Sequence, residues 1–182
     1  MRHDKAPMEP HPDSPPSAWV QRWIPWIRPG GAVLDVACGA GRHARLLARL
    51  GFEVDAVDRD AALFAGPPAN VSLREADIEA GPWPYAGRRF DGIVVTNYLH
   101  RPLLPVLADS LEAGGVLIYE TFAHGNERFG KPSNPAFLLA PGELIDAVRG
   151  KLRVVAFEDL VVDDPRPAAV QRLCARREMP SS

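Results

Sequence analysis

Two spacings of apolar residues run through this chain of 182 residues. Short, nearly continuous apolar runs of strand length occur at residues 32–36, 52–57, 71–74, 90–96 and 116–121. They predict five strands, the fourth apolar enough to be buried on both faces. Between them, apolar residues return every three or four positions. Leu46, Leu47 and Leu50 mark one side of a helix whose other side carries Arg42, Arg45 and Arg49. A short helix is predicted at 61–65, broken by Gly66-Pro67-Pro68. Another is expected over 99–111, opened by Pro102 and Pro105 and closed by Gly114-Gly115. A fourth at 143–149 is stopped by Gly150. Two final strands, 152–157 and 169–175, are too close for a crossover helix and should be antiparallel.

The ends of the chain read differently. Residues 1–16 are polar and carry five prolines between Pro7 and Pro16, the composition of a disordered arm. Ser17 then suits the cap of a helix in which Trp19, Trp23 and Trp26 recur at helical spacing until Pro25 ends or kinks it. This aromatic face either packs on the domain or in part closes over the site. Residues 17–177 are expected to form a single domain and 178–182 a flexible C-terminus.

The first strand leads into the stretch on which the rest depends. Asp35 lies near its end, and Ala37-Cys38-Gly39-Ala40-Gly41 follows before the helical pattern resumes. Glycines there allow a sharp turn and close approach of the backbone to a ligand, and the helix start offers unpaired N–H groups. Gly39-Ala40-Gly41-Arg42-His43-Ala44 matches the dinucleotide fingerprint, with Ala in the last place. Asp35 separates two cofactor classes, because a carboxylate repels a pyrophosphate but can meet the ammonium of an amino acid end, directly or through water. A second acid, Asp58, follows at an interval of 23, close to the ~20 at which an acid meets a ribose in doubly wound folds.

Composition narrows the function classes. Apolar residues make up 46% and charged residues 24%, as in ordinary globular proteins, and the net charge of −2 gives no global field for nucleic acid. The two cysteines, Cys38 and Cys174, make no disulfide framework. No apolar core of a signal peptide and no stretch of membrane-spanning length occurs, so a cytoplasmic protein without a membrane partner is expected. No metal cluster is expected.

Asp-x-x-Cys-Gly-x-Gly-Arg, from Asp35 to Arg42, resembles motif I of class I S-adenosylmethionine (SAM) methyltransferases, with Ala37 where that motif has its first glycine. Leu-Asp-x-Ala-Cys-Gly-x-Gly-Arg in a compact core is similar to the tellurite-resistance-type members. The resemblance implies an α/β, Rossmann-like, seven-stranded and mostly parallel sheet of order 3-2-1-4-5-7-6. Its last strand would be antiparallel, with helices on both faces. It implies S-adenosyl-L-methionine as cofactor and S-adenosyl-L-homocysteine (SAH) as product. In this sequence Asp35 would hold the methionine end and Ala37, Cys38, Gly39 and Gly41 the loop. Asp58 with Arg59 would lie at the ribose, Asp77 at the adenine amino group, and Ile78 on the ring. Asn97 completes the expected cofactor set.

In open α/β sheets the acceptor site lies beyond the carboxyl ends of the strands. His100 is the first candidate there to take a proton. Arg101 could orient an anionic substrate, and Tyr98 could stack on substrate or cofactor. Glu120, at the end of a buried strand, requires a partner such as Arg101 or substrate. Residues 123–142 read as a lid, since structureless stretches of that length are usually functional or disordered. Asn134-Pro135-Ala136-Phe137 resembles the Asn-Pro-Pro-aromatic motif of amino-methylating nucleic-acid enzymes, but that motif belongs after the fourth strand. The expectation is methyl transfer to a small molecule by a monomer or homodimer. The alternatives are an RNA acceptor, favoured if Arg101, Arg128 and Lys131 gather into a basic patch, a protein acceptor, a SAM-binding module without catalysis, and a nicotinamide enzyme.

Overall fold

In a computed structural model that describes residues 14–180, seven strands form one sheet. They are β1 (Ala32–Val36), β2 (Glu53–Asp58), β3 (Val71–Glu75), β4 (Phe90–Thr96), β5 (Leu111–Phe122), β6 (Arg153–Val162) and β7 (Ala168–Arg176). Their order is β3-β2-β1-β4-β5-β7-β6, with β7 antiparallel to both neighbours and the β1–β5 pairs parallel. This is the order that the family resemblance implies, with the antiparallel final pair that the short connection predicts. Most of the disordered arm predicted at 1–16 lies outside the described residues.

Alternation along the strands divides the core in two. Val33, Val94, Val116 and Ile118 face α1 (Ala18–Trp23) and α2 (Arg42–Arg49). Leu34, Val36, Ile93, Val95 and Leu117 face α3 (Leu104–Asp109) and α4 (Glu143–Val148). A period of two delivers successive side chains to opposite faces, so two helical layers can be held by one apolar strand.

Several elements differ from their sequence pattern. The helix expected at 61–65 is one 3₁₀ turn, Ala61–Leu63, capped by the Asp60 carboxylate. The β3–β4 crossover, residues 76–89, has no helix. Trp83, Tyr85 and Phe90 fill its place as an edge-to-face ladder with centroids 5.5 Å apart at each step. The helix predicted over 99–111 is shorter, a 3₁₀ turn at Arg101–Leu103 followed by α3. Leu111 already belongs to β5, opposite Phe90, and an irregularity between Phe90 and Gly92 accommodates Gly114 and Gly115. There a Cβ on Gly115 would sit 2.8 Å from Phe90 O.

Gly92, in the centre of the sheet, fixes the approach of the segment after α1. A Cβ at this position would lie 2.6 Å from Ile27 Cδ1 and 3.0 Å from Cγ1. Ile27 is 1% exposed and has little room to give way. Gly92→Ala is expected to cost about 1–3 kcal/mol by overpacking, a fall in Tm of roughly 2–12 °C. An unchanged Tm would mean that Ile27 repacks freely.

Candidate active site

The strand order reverses between β1 and β4, and the backbone is strained at the carboxyl ends of both. Ala37 (φ 52°) follows β1 and Asn97 (φ 54°) follows β4, the two non-glycine residues with positive φ among those described. Left-handed backbone costs a residue with Cβ roughly 1–2 kcal/mol, less for Asn, and such strain concentrates at functional sites. Gly39 (φ 52°) and Gly41 (φ 80°) continue the left-handed path into α2. Gly41 must stay a glycine for a second reason, because a Cβ there would lie 2.3 Å from the Phe64 ring. Gly39 has no atom within 4 Å of its ideal Cβ position, leaving open room above the loop.

Asp58 ties this loop to β2. Its Oδ2 accepts from Gly39 N–H at 2.8 Å and its Oδ1 from Asp60 N–H at 3.1 Å. Cys38 N–H donates to Val57 O at 3.0 Å, so the small buried Cys38 serves the turn. Asp35 stands near the end of β1, under the loop. Only 2% exposed, it accepts from Ala44 N–H at 3.0 Å beneath the loop, holding the first turn of α2. Burial pushes its carboxyl up to about 7, against the Ala44 N–H and Arg42, which pull it down.

Arg59, Asp77, Ile78 and His100 gather on the side of β3. Asp77 Oδ1 accepts from the backbone of Ala80 (3.0 Å) and Glu79 (2.9 Å), and these bonds hold its carboxyl below the usual range, helped by Arg59 and His100. Ile78 is buried beside it. His100 Nδ1 lies 4.0 Å from Glu79 Oε2, and its side chain is 25% exposed. The Tyr98 hydroxyl is buried beside Glu79 without a well-formed hydrogen bond among the described residues, and burial raises its pKa. Tyr98 O accepts from the hydroxyl of the buried Tyr119 at 2.8 Å.

Glu120 and Arg101 do not pair with each other, contrary to the sequence reading. Arg101 donates to both Glu143 oxygens (2.6 and 3.0 Å), to Ala136 O (2.8 Å) and to Leu138 O (2.9 Å). It pins residues 136–143 with four of its five N–H donors. Glu120 is met instead by Arg172 of β7, which also reaches Glu158 of β6 at 3.4 Å, and by Ser17 Oγ at 2.8 Å. The predicted lid is likewise folded down. Ala123 pairs with Leu139, Leu138 and Leu139 are buried, and the buried Asn126 donates to Pro132 O and accepts from Ala169 N–H.

Four further residues join the site that the sequence reading left out of its candidate set: Ser17, Arg42, His43 and Arg172. Ser17 stood out only as a helix cap, a role it also fills for Trp19 and Val20 N–H. His43 sat next to the glycine loop, a signal that could have marked it. Arg172 had none, because its partners depend on the register of an antiparallel pair. Among the described residues no cluster of three or more His, Cys, Asp or Glu could hold a metal, and no helix is long and apolar enough to cross a membrane.

Residues 33–115 match the family model described as a methyltransferase domain. The chain is 44% identical over 77 residues to the protein-L-isoaspartate O-methyltransferase of Methylorubrum extorquens, covering 38% of this chain and 33% of that protein. It is 35% identical over 99 residues to the enzyme of that name from Chlorobaculum tepidum, covering 50% of this chain and 44% of that one. The chain thus spans less than half the length of these curated relatives. Among solved structures, TehB from Haemophilus influenzae superposes with a TM-score of 0.69 at 21% identity, over 88% of this chain and 61% of TehB. The glycopeptide N-methyltransferase MtfA, in complex with SAH, gives 0.63 at 19% identity over 91% of each chain. Over residues 33–115 the chain is thus similar to methyltransferase domains, and its sheet has the fold of TehB.

Proposed function

We propose that this chain transfers a methyl group from SAM to a small-molecule acceptor. The observation that carries the reading is the left-handed backbone at Ala37, Gly39, Gly41 and Asn97, on both sides of the strand-order reversal, with open room above Gly39. Such strain is retained where the backbone itself must approach a ligand.

The side chains around it fit an adenosyl ligand. A carboxylate has about four acceptor positions; Asp58 uses two on the backbone and keeps others for ribose hydroxyls. Asp77 Oδ1 is occupied by its own turn, leaving Oδ2 for an exocyclic amine, with Ile78 as the apolar wall for a ring. Arg42 opens α2, half-buried, and donates to Pro15 O at 2.9 Å. Burial lowers its pKa while Glu120 and Asp35 support its charge, which makes it the natural partner for the carboxylate of an amino acid end. Asp35 then acts beneath the loop, through α2.

When bound, the cofactor supplies a methyl group on a sulfonium, already activated toward a nucleophile. The protein's part is alignment and, for a protonated nucleophile, removal of a proton. His100, at the mouth beside Glu79, is the ring placed to hold that proton. A small acceptor is favoured over RNA because two of the three basic side chains that would form a patch are committed elsewhere. Arg101 is bound to Glu143 and two carbonyls, and Arg128 donates to Gly125 O with its guanidinium over Phe129.

Thermal unfolding with SAM, SAH and NADH, each near ~1 mM, tests the cofactor. A ligand at about 100 times its Kd adds ~2.7 kcal/mol, a rise of roughly 5–11 °C for a domain of this size. A shift with the adenosyl ligands alone is expected. A shift with NADH alone would replace the reading by the dinucleotide one. Labelled methyl from SAM should then appear in a small-molecule extract; label confined to protein or RNA would move the acceptor class.

A further inference from the structure

The residues just before α1 are held by partners from three elements. Arg42 Nη1 donates to Pro15 O at 2.9 Å, and Gln21 Nε2 to Pro16 O at 3.0 Å. Ser17 N–H donates to His43 Nε2 at 3.0 Å, and Ser17 Oγ to Glu120 Oε1 at 2.8 Å. Arg42 and His43 open α2, while Glu120 lies near the end of β5, so residues 15–17 span the ends of β1 and β4, where Ala37 and Asn97 are strained.

His43 is built for this contact. It is 2% exposed, at a position where an apolar side chain would fill the same space without desolvating two ring nitrogens. Both nitrogens are occupied, Nε2 by Ser17 N–H and Nδ1 by Thr96 Oγ1 at 3.4 Å. Since Ser17 N–H can only donate, Nε2 carries no proton and Nδ1–H faces Thr96. The ring therefore rests on the end of β4 and presents a fixed acceptor to the chain above. The helix that follows does not need this bond. Trp19 and Val20 are buried in the core, and Trp19 Nε1 donates to Leu173 O at 3.2 Å.

We propose that His43 is the latch of the donor pocket, a positioning residue whose Nε2 fixes residues 15–17 across the site and so sets how fast SAM and SAH enter and leave. The inference rests on the cofactor reading above and adds to it the group that governs release.

Ser17 offers a clean test. Its φ of −54° suits proline, so Ser17→Pro keeps the backbone angle, removes the N–H and puts the ring Cδ where the hydrogen met His43 Nε2. Ser17→Ala loses the same Oγ contacts and keeps the N–H, so the difference between the two variants reports the contact with His43, the lost bond and the displaced ring together. SAH release would be followed by stopped-flow tryptophan fluorescence, and backbone amide exchange over residues 18–20 in the ligand-free protein. Ser17→Pro is expected to release SAH at least fivefold faster than Ser17→Ala and to exchange faster. Both differences should vanish when His43 is replaced by Ala, which leaves room for the proline ring, and His43→Gln, which keeps an acceptor, should restore part of them. Equal rates for the two Ser17 variants with His43 intact would overturn the latch. If the unmodified protein binds no SAH, the cofactor reading falls, and the exchange comparison alone decides the latch.

Discussion

Asp58→Ala should weaken binding of SAM and SAH at least tenfold, a loss of about 1.4 kcal/mol or more. The carboxylate holds the loop and the next turn through Gly39 and Asp60 N–H, and in the function proposed above its remaining acceptor positions take the ribose hydroxyls. The variant therefore removes both a ligand contact and the tether of the cradle. Leaving a buried N–H unpaired costs about 1–3 kcal/mol, so Tm should fall as well. Asp58→Asn, which keeps one acceptor oxygen, should fall between the two proteins. Calorimetric titration with SAH decides the matter. An unchanged Kd in a folded Asp58→Ala protein would take Asp58 out of the cofactor site.

The second large effect concerns pH. Burial pushes Asp35 up to about 7 from 3.8, so between these values the folded chain holds a proton that the unfolded chain has released. Stability from this group is thus lost as pH rises from about 4 to 7, by about 4 kcal/mol in all. His43 runs the other way. Burial, with Arg42 adding to it, pushes the ring down to about 3 from 6.5, so the unfolded chain binds the extra proton and stability is lost as pH falls below 6.5. Over the shared window the two slopes cancel, and their joint contribution to the unfolding curve is flat. Asp35→Asn should unmask the histidine slope. Its Tm should drop on acidification from pH 6.5 to 4, and at pH 8 it should gain up to about 4 kcal/mol over the parent, less the cost of burying an amide N–H₂. His43→Gln should show the opposite slope, losing stability from pH 4 to 7. If Tm in Asp35→Asn tracks the parent protein at every pH, the buried carboxyl is not titrating as described.

The strands were legible because β1, β2, β4 and β5 are buried on both faces, which leaves continuous apolar runs, and because the β6–β7 connection is too short to cross over. Ser17 and Asp60 were legible as caps because capping is a local interaction. The aromatic ladder that fills the crossover at 76–89 arises from packing at a distance and leaves no local pattern. Site positions were legible where a motif fixes them; their partners were not. Arg101 and Glu120 stood at the expected strand ends, yet one turned to Glu143 and the other to Arg172 and Ser17. Those choices depend on the fold of 134–143 and on the pairing of β5 with β7, and neither leaves a periodic trace. The place of Asp35 at the end of β1 was legible; its burial and its bond to Ala44 N–H were not.

The strap at residues 15–17 and the helix behind it close over great lengths of chain. Ser17 meets a carboxylate 103 residues away, and Trp19 a carbonyl 154 residues away. Contacts of that separation carry the largest loop-closure cost and form late. A chain leaving the ribosome therefore presents residues 15–19 long before β5 and β7 exist to receive them. The glycine loop and β1–β4 can be assembled with the cradle still open, and only the emergence of β7 lets the strap settle. The site is finished from its floor upward, and a segment made before the strands takes its place after them.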